Sequence, residues 1–266
     1  MNPSFYINTF LPNEHAQLLL EVGENNVALA ILQDKKFTAL ANYNFTQVED
    51  LSSILNTETL LQHTFSKIDI VYSNKHCVLV PPACYNTSSM QPNLELLFGD
   101  VIQEPIKSDF LFRHNIHTVY YVDNAILNCI SAKFPFANTH HIYSLLPDVT
   151  GLKGNKLYTI FYPNKCVILC CKENNLQLIQ QFEYTTPEDV AYHLLSIANN
   201  HNMQMDELML TVGGMIDKTS SLYNELYKYF RHIVFDSLNN NFEYCEDIKQ
   251  LPTHYFSPLL SIASCV

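Results

Sequence analysis

The sequence predicts an α/β (α+β) fold of two related subdomains, each a mixed sheet that opens with a hairpin and carries flanking helices. A block from Gln17-Leu18-Leu19-Leu20-Glu21-Val22-Gly23 to Ile70-Val71-Tyr72 recurs in altered form between Lys156-Leu157-Tyr158 and Val212-Gly213-Gly214. Each copy reads strand, strand, strand, helix, strand. The join of third strand and helix is shared: Asn44-Phe45-Thr46-Gln47-Val48-Glu49-Asp50-Leu51 aligns with Glu183-Tyr184-Thr185-Thr186-Pro187-Glu188-Asp189-Val190. A repeat this long implies two subdomains rather than a stack of small modules, here residues 1–150 and 151–266.

In the first copy, apolar runs at 18–22 and 27–32 flank Gly23-Glu24-Asn25-Asn26, a hairpin turn by composition. Residues 37–45 alternate loosely, as a third strand does. Thr46 suits a helix N-cap, with Glu49 and Asp50 in the first turn where acids meet the helix dipole. Leu51, Ile54 and Leu55 form the apolar face, and 68–72 reads as the returning strand. In the second copy, runs at 158–161 and 166–171 flank Tyr162-Pro163-Asn164-Lys165, and 176–184 supplies the third strand. Thr185 or Thr186 caps a helix with Pro187 at its first position, and Val190, Leu194, Leu195 and Ile197 suit its buried face. Met209 to Val212 is a short buried strand ending in Gly213-Gly214. A last helix is expected at 220–230 and a closing strand at 233–235.

Between the copies, 118–122 reads as a strand, and Asp123 caps a helix carrying Ala125, Ile126, Leu127 and Ile130. Residues 141–145 read as a further strand. Turn formers at 147–154, with Pro147, Gly151 and Gly154, mark a hinge.

The 266 residues, 47% hydrophobic and 15% charged, describe a globular chain able to bury one large core or two modest ones. A count of 6 Gly is low for a chain that cradles phosphate on backbone loops. The net charge of −11 repels nucleic acid and anionic membranes. The N-terminal Met1-Asn2-Pro3-Ser4-Phe5 lacks signal-peptide character, and no apolar run reaches the ~20 residues of a membrane span. These features point to a cytoplasmic protein with its 8 cysteines reduced.

The two successive hairpin-plus-strand units resemble the duplicated ribonuclease-H-like core of actin-like ATPases. The stretches Thr185-Thr186-Pro187-Glu188-Asp189-Val190-Ala191-Tyr192-His193-Leu194-Leu195, Val78-Leu79-Val80-Pro81-Pro82, Leu210-Thr211-Val212-Gly213-Gly214 and Tyr255-Phe256-Ser257-Pro258-Leu259 are similar to an uncharacterised bacterial family, domain of unknown function 3822. The resemblance covers most of the chain and implies two ribonuclease-H-like subdomains of actin-like ATPase type. Such ATPases hold nucleotide between two Asp-x-Gly hairpin turns, whose backbone N–H groups meet phosphate and whose acids organise metal and water. The corresponding turns here are Glu21-Val22-Gly23-Glu24-Asn25 and Phe161-Tyr162-Pro163-Asn164-Lys165. The first keeps an acid and a glycine but adds Glu24. The second has neither, and Pro163 removes a backbone donor. Gly213-Gly214 matches the adenosine-side turn.

These turns favour a catalytically degenerate scaffold or protein-interaction module with an unidentified protein partner, no cofactor, and no direct contact with nucleic acid or membrane. The alternative is an ATP-binding protein, with Mg and weak or no hydrolysis, that uses Glu21, Gly23, Gly213 and Gly214. Under that alternative a bulky substitution at Gly214 abolishes nucleotide binding and leaves the fold intact.

Other chemistry-bearing residues read as structural. Cys166 and Cys170 share one face of a strand and Cys171 the other, as small hydrophobes do, and no paired Cys-x-x-Cys set has zinc spacing. His114 and His117 face opposite sides of a strand, and adjacent His140 and His141 do not converge on one metal. Asp189 and His193 are four apart on a helix, within reach of each other, but lack a nearby nucleophile. The apolar segment 255–262 docks on the core. Tyr223 and Tyr227 share a helix face.

Overall fold

The computed structural model describes residues 2–9, 11–99, 102 and 105–266. The chain divides into two compact units: Met1–Ser144 with Asn240–Leu251 and Val266, and Leu145–Asn239 with Pro252–Cys265. The boundary expected at 150/151 thus lies six residues after this division, which also returns residues 240–251 to the first unit.

In chain order the first unit carries β1 (Phe5–Asn8), β2 (Gln17–Gly23), β3 (Asn26–Gln33), β4 (Lys36–Asn44), α1 (Val48–Thr57), β5 (Lys67–Ser73), β6 (Cys77–Val80), α2 (Met90–Phe98), β7 (Ile106–Leu111), β8 (Ile116–Tyr121), α3 (Asn124–Lys133) and β9 (Asn138–His141). The division falls inside α4 (Ile142–Thr150). The second unit carries β10 (Lys156–Phe161), β11 (Lys165–Lys172), β12 (Asn175–Glu183), α5 (Pro187–Asn200), β13 (Met209–Gly214), α6 (Ser221–Leu226) and β14 (His232–Phe235). Then β15 (Glu243–Tyr244) and α7 (Glu246–Lys249) belong to the first unit, and α8 (Ser257–Ile262) to the second.

The main sheets share one plan. In the first unit the order is β1-β4-β3-β2-β5-β9, with β15 also pairing β4. In the second it is β12-β11-β10-β13-β14. Each has a run of three antiparallel strands, β4-β3-β2 or β12-β11-β10, followed by two parallel ones, and the first adds β1 antiparallel to β4: β2 pairs β5 from Gln17↔Lys67 to Gly23↔Ser73, and β10 pairs β13 from Lys156↔Met209 to Phe161↔Gly214. Parallel neighbours need a crossover connection, which α1 and α5 provide. The expected order of strands and helices therefore stands.

The helix caps explain the shared join. Asp189 closes a capping box with Thr186, and its Oδ2 also accepts the Thr185 N–H and hydroxyl, both at 3.0 Å. In α1 the N-cap is Gln47, not Thr46, because Asp50 closes its box with Gln47; Thr46 instead donates its N–H and hydroxyl to Asp50 at 3.2 Å. Val190, Ala191, Leu194, Ile197 and Ala198 of α5 pack on Leu157, Phe161, Cys166, Ile168, Cys170, Leu210 and Val212 of the second sheet. Burying each large apolar side chain contributes about 1.5–3 kcal/mol. Leu195 packs against this core while remaining partly exposed.

Three expected elements differ. Residues 142–145 are helical: β9 stops at His141 and α4 begins at Ile142, with Ile142, Tyr143, Leu145 and Leu146 all buried. The hinge read at 147–154 begins inside this helix, with Pro147 in its body. The helix expected at 220–230 ends at Leu226, although Ser220 caps it by accepting the Tyr223 N–H at 3.1 Å. The sequence reading also missed β1 and β15, which line the outer edge of β4, and β6 and β7, which flank the expected strand β8 in a small sheet that packs with α2 around Leu94, Ile102, Val119 and Tyr121.

Candidate functional site

The candidate residues lie on two hairpin turns and one strand end. In the first unit Glu21 is buried in β2, across from Ala28 and Val71. Gly23 ends that strand. A Cβ there would overlap the Asn26 side-chain oxygen and lie 3.3 Å from Ser73 Oγ, so close packing already favours glycine. Glu24 is exposed, and its Oε1 accepts the Lys75 N–H at 3.4 Å.

In the second unit the turn Tyr162-Pro163-Asn164 is closed by the Tyr162 N–H donating to the Lys165 carbonyl at 2.9 Å. The Tyr184 hydroxyl donates to the Tyr162 carbonyl at 2.6 Å. Lys165 is buried, with its Nζ 5.2 Å from the centre of the Tyr162 ring.

Gly213 and Gly214 end β13 beside the C-terminal segment. Gly214 has φ +78°, and a Cβ on it would overlap the Phe161 carbonyl oxygen and sit 2.9 Å from the Phe161 nitrogen. Its N–H donates to the His254 carbonyl at 2.7 Å, and the Met215 N–H donates to the Phe161 carbonyl at 2.8 Å. A Cβ on Gly213 would lie 3.2 Å from Pro258 Cγ. The glycine pair is therefore required by the pairing of β10 with β13 and by the seating of α8. A bulky residue at Gly214 would break this backbone packing, so the expectation that it leaves the fold intact is corrected.

Sequence reasoning missed the polar network that fixes this corner. Asp236 Oδ2 accepts the Tyr158 hydroxyl at 2.6 Å and the Ser257 hydroxyl at 2.7 Å, and His254 Nε2 lies 2.6 Å from the Ile216 carbonyl. Burial first, and Asp236 second, push the Tyr158 hydroxyl pKa well above its ordinary range. The only sequence signal was the apolar segment 255–262, which docks on the core as expected: Leu259, Leu260 and Ile262 are buried.

The remaining candidates stay apart. Cys166 and Cys170 are in the core of the second unit, where burial pushes their thiols up to about 12 and about 11. Cys171 points to the other face, with Sγ 3.5 Å from the Gly154 carbonyl. His117 stacks on Tyr85 at 3.7 Å between ring centres. Buried His141 accepts the Tyr143 N–H at Nδ1 (3.2 Å), which leaves Nε2 to donate to the Asn74 carbonyl at 3.1 Å. Among the described residues no group of three His, Cys, Asp or Glu side chains is placed to hold a metal. His193 stacks on Phe182 at 4.3 Å, and burial lowers its pKa although Asp189 opposes the shift. Tyr223 is buried and Tyr227 exposed, their rings stacked at 6.0 Å.

No curated protein matches the chain. Solved structures do. A Bacteroides thetaiotaomicron protein with actin-like ATPase fold and unknown function has 15% identity and a TM-score of 0.73, over 84% of this chain and 91% of that one. The PilM–PilN type IV pilus biogenesis complex gives 10% identity and a TM-score of 0.54, over 94% and 98%. Ethanolamine utilization protein EutJ from Carboxydothermus hydrogenoformans gives 9% and 0.50, over 97% and 91%. The chain has the actin-like ATPase fold. The model of the protein family of unknown function DUF3822 matches residues 8–233, and the chain belongs to that family.

Proposed function

We propose that this protein is a cytoplasmic, catalytically degenerate actin-like module that works by binding a protein partner. The observation that carries this reading is the second hairpin turn. Tyr162-Pro163-Asn164 has no glycine and no carboxylate, and the Tyr162 N–H is spent on Lys165. A phosphate-binding turn needs free backbone donors and an acid to organise a metal. The other turns support the same conclusion: Glu24 brings negative charge beside Gly23, and the Gly214 N–H is bonded to His254. On this reading ATP with Mg does not fit these residues. A fold neighbour from the PilM–PilN type IV pilus biogenesis complex supports a partner-binding use of the frame. Among the described residues no helix is long and apolar enough to cross a membrane.

The test is thermal unfolding with and without Mg–ATP or Mg–ADP. A ligand at a hundred times its Kd adds about 2.7 kcal/mol, a rise of roughly 5–10 °C for a chain of this size. No shift is expected. A magnesium-dependent rise overturns the proposal.

A further inference from the structure

The two main sheets treat equivalent edges differently. In the first unit the outer edge of β4 is closed by the chain itself: β1 pairs antiparallel with it from Phe5↔Asn42 to Asn8↔Ala39, and β15 pairs beside Lys36 and Phe37. In the second unit β12 holds the equivalent place, and among the described residues no strand pairs with its outer edge. β12 is nine residues long. From Asn175 to Phe182 it contains no charged residue, no proline and no glycine. Lysine, proline or a short length ordinarily protects an open edge from pairing with another chain, and β12 lacks all three. A bulge opposite Cys170 and Cys171 distorts only the end near Leu176, leaving 178–183 regular.

We infer that β12 is a self-association edge, pairing antiparallel with β12 of a second copy to join two sheets across a two-fold axis. The first unit shows the kind of occupant such an edge takes, an antiparallel strand. The side-chain order selects β12 itself. In a register centred on Gln180, Leu178 stands opposite Phe182 of the second copy, and Gln180 opposite its own counterpart. Leu178 and Phe182 are partly exposed hydrophobics already packed on the core, and Gln180 is exposed. On this face a two-fold pair thus sets apolar against apolar and amide against amide, while on the other face Ile179 stands opposite Gln181. The one charged residue of the strand, Glu183, then stands opposite uncharged Gln177 of the second copy and not opposite a like charge, which matters for two copies that each carry −11. Tyr192, 69% exposed, is in ring contact at 5.6 Å with His193, which stacks on Phe182, and adds aromatic surface on the same side. This inference is independent of whether nucleotide binds.

The experiment is sedimentation equilibrium of the full chain over a wide concentration range. The mass should rise from 30.6 kDa toward twice that value. Gln180→Lys, which sets two like charges opposite each other, should weaken the dimer at least about tenfold, while Gln180→Asn keeps it. A wild-type monomer at every concentration overturns the inference, as does a dimer that Gln180→Lys leaves unchanged. Should the lysine variant fail to fold, Gln180→Cys in a background with the exposed Cys84 and Cys265 changed to serine gives a second reading. Oxidation should yield a disulfide-linked dimer, and absence of that crosslink also overturns the inference.

Discussion

Gly214→Ala is expected to damage the second unit, and the size of the effect follows from its surroundings. With φ at +78°, any residue bearing a Cβ carries about 1–2 kcal/mol of strain. The new methyl also meets the Phe161 backbone, which cannot swing aside because β10 and β13 are paired from Lys156↔Met209 to Phe161↔Gly214. Relief requires β13 to shift, which strains two backbone hydrogen bonds, Gly214 to His254 and Met215 to Phe161. Each is worth about 1 kcal/mol, so the total is about 3–4 kcal/mol. For a chain of this size that lowers Tm by roughly 6–15 °C. Gly23→Ala is the control: its clash is with the movable tip of Asn26, at a glycine outside the left-handed region, and costs about 1 kcal/mol. Because the chain has no tryptophan, melting is followed by far-ultraviolet circular dichroism. A Gly214→Ala protein that melts with the wild type, or above Gly23→Ala, refutes this account of the glycine pair.

Two other outcomes follow from buried thiols and capped acids. A thiol-reactive dye at pH 8 should label exposed Cys84 and Cys265 quickly and reach Cys166 and Cys170 only on denaturation, because burial keeps the latter protonated; fast labelling of Cys166 in the native protein would contradict this. Backbone hydrogen bonds from Thr185 and Thr186 hold the Asp189 carboxyl at about 2, below its ordinary 3.8, so its stabilisation is present above pH 3.8 and lost as pH falls through about 2. Asp189→Asn should lower Tm at pH 7, with the gap to wild type closing in that acidic window; a gap independent of pH would remove the cap from the argument.

Much of the frame was legible because its signals are local. Apolar runs separated by Gly23-Glu24-Asn25 or Pro163-Asn164, followed by an acid-capped helix, specify hairpin and crossover within a few residues of chain. Where pairing is distant, the sequence was silent. β1 is four residues long and acquires meaning only beside β4, more than thirty residues away. Segment 142–145 has strand-like composition, yet it opens α4, and its nearly continuous burial carries neither period. The candidate site was legible as motif alone. That Gly214 must lack a side chain because of Phe161, and that its N–H goes to His254, depends on backbone contacts 53 and 40 residues apart along the chain. The Tyr158–Asp236 bond spans 78 residues. Neither leaves a local pattern.

The return of residues 240–251 to the first unit bears on how the protein is made. Phe37, fully buried, stacks on Tyr244 at 5.6 Å and meets Phe242 edge-on at 5.3 Å, while Cys245 and Ile248 are buried beside this turn of chain. During synthesis the first 144 residues therefore emerge without the strand and helix of 240–251, and the first unit stays unfinished until that segment has left the ribosome. An expression fragment that stops at residue 144 inherits the same gap. A workable fragment of the first unit has to carry 240–251 on a linker, joined as a circular rearrangement rather than cut as a simple N-terminal half.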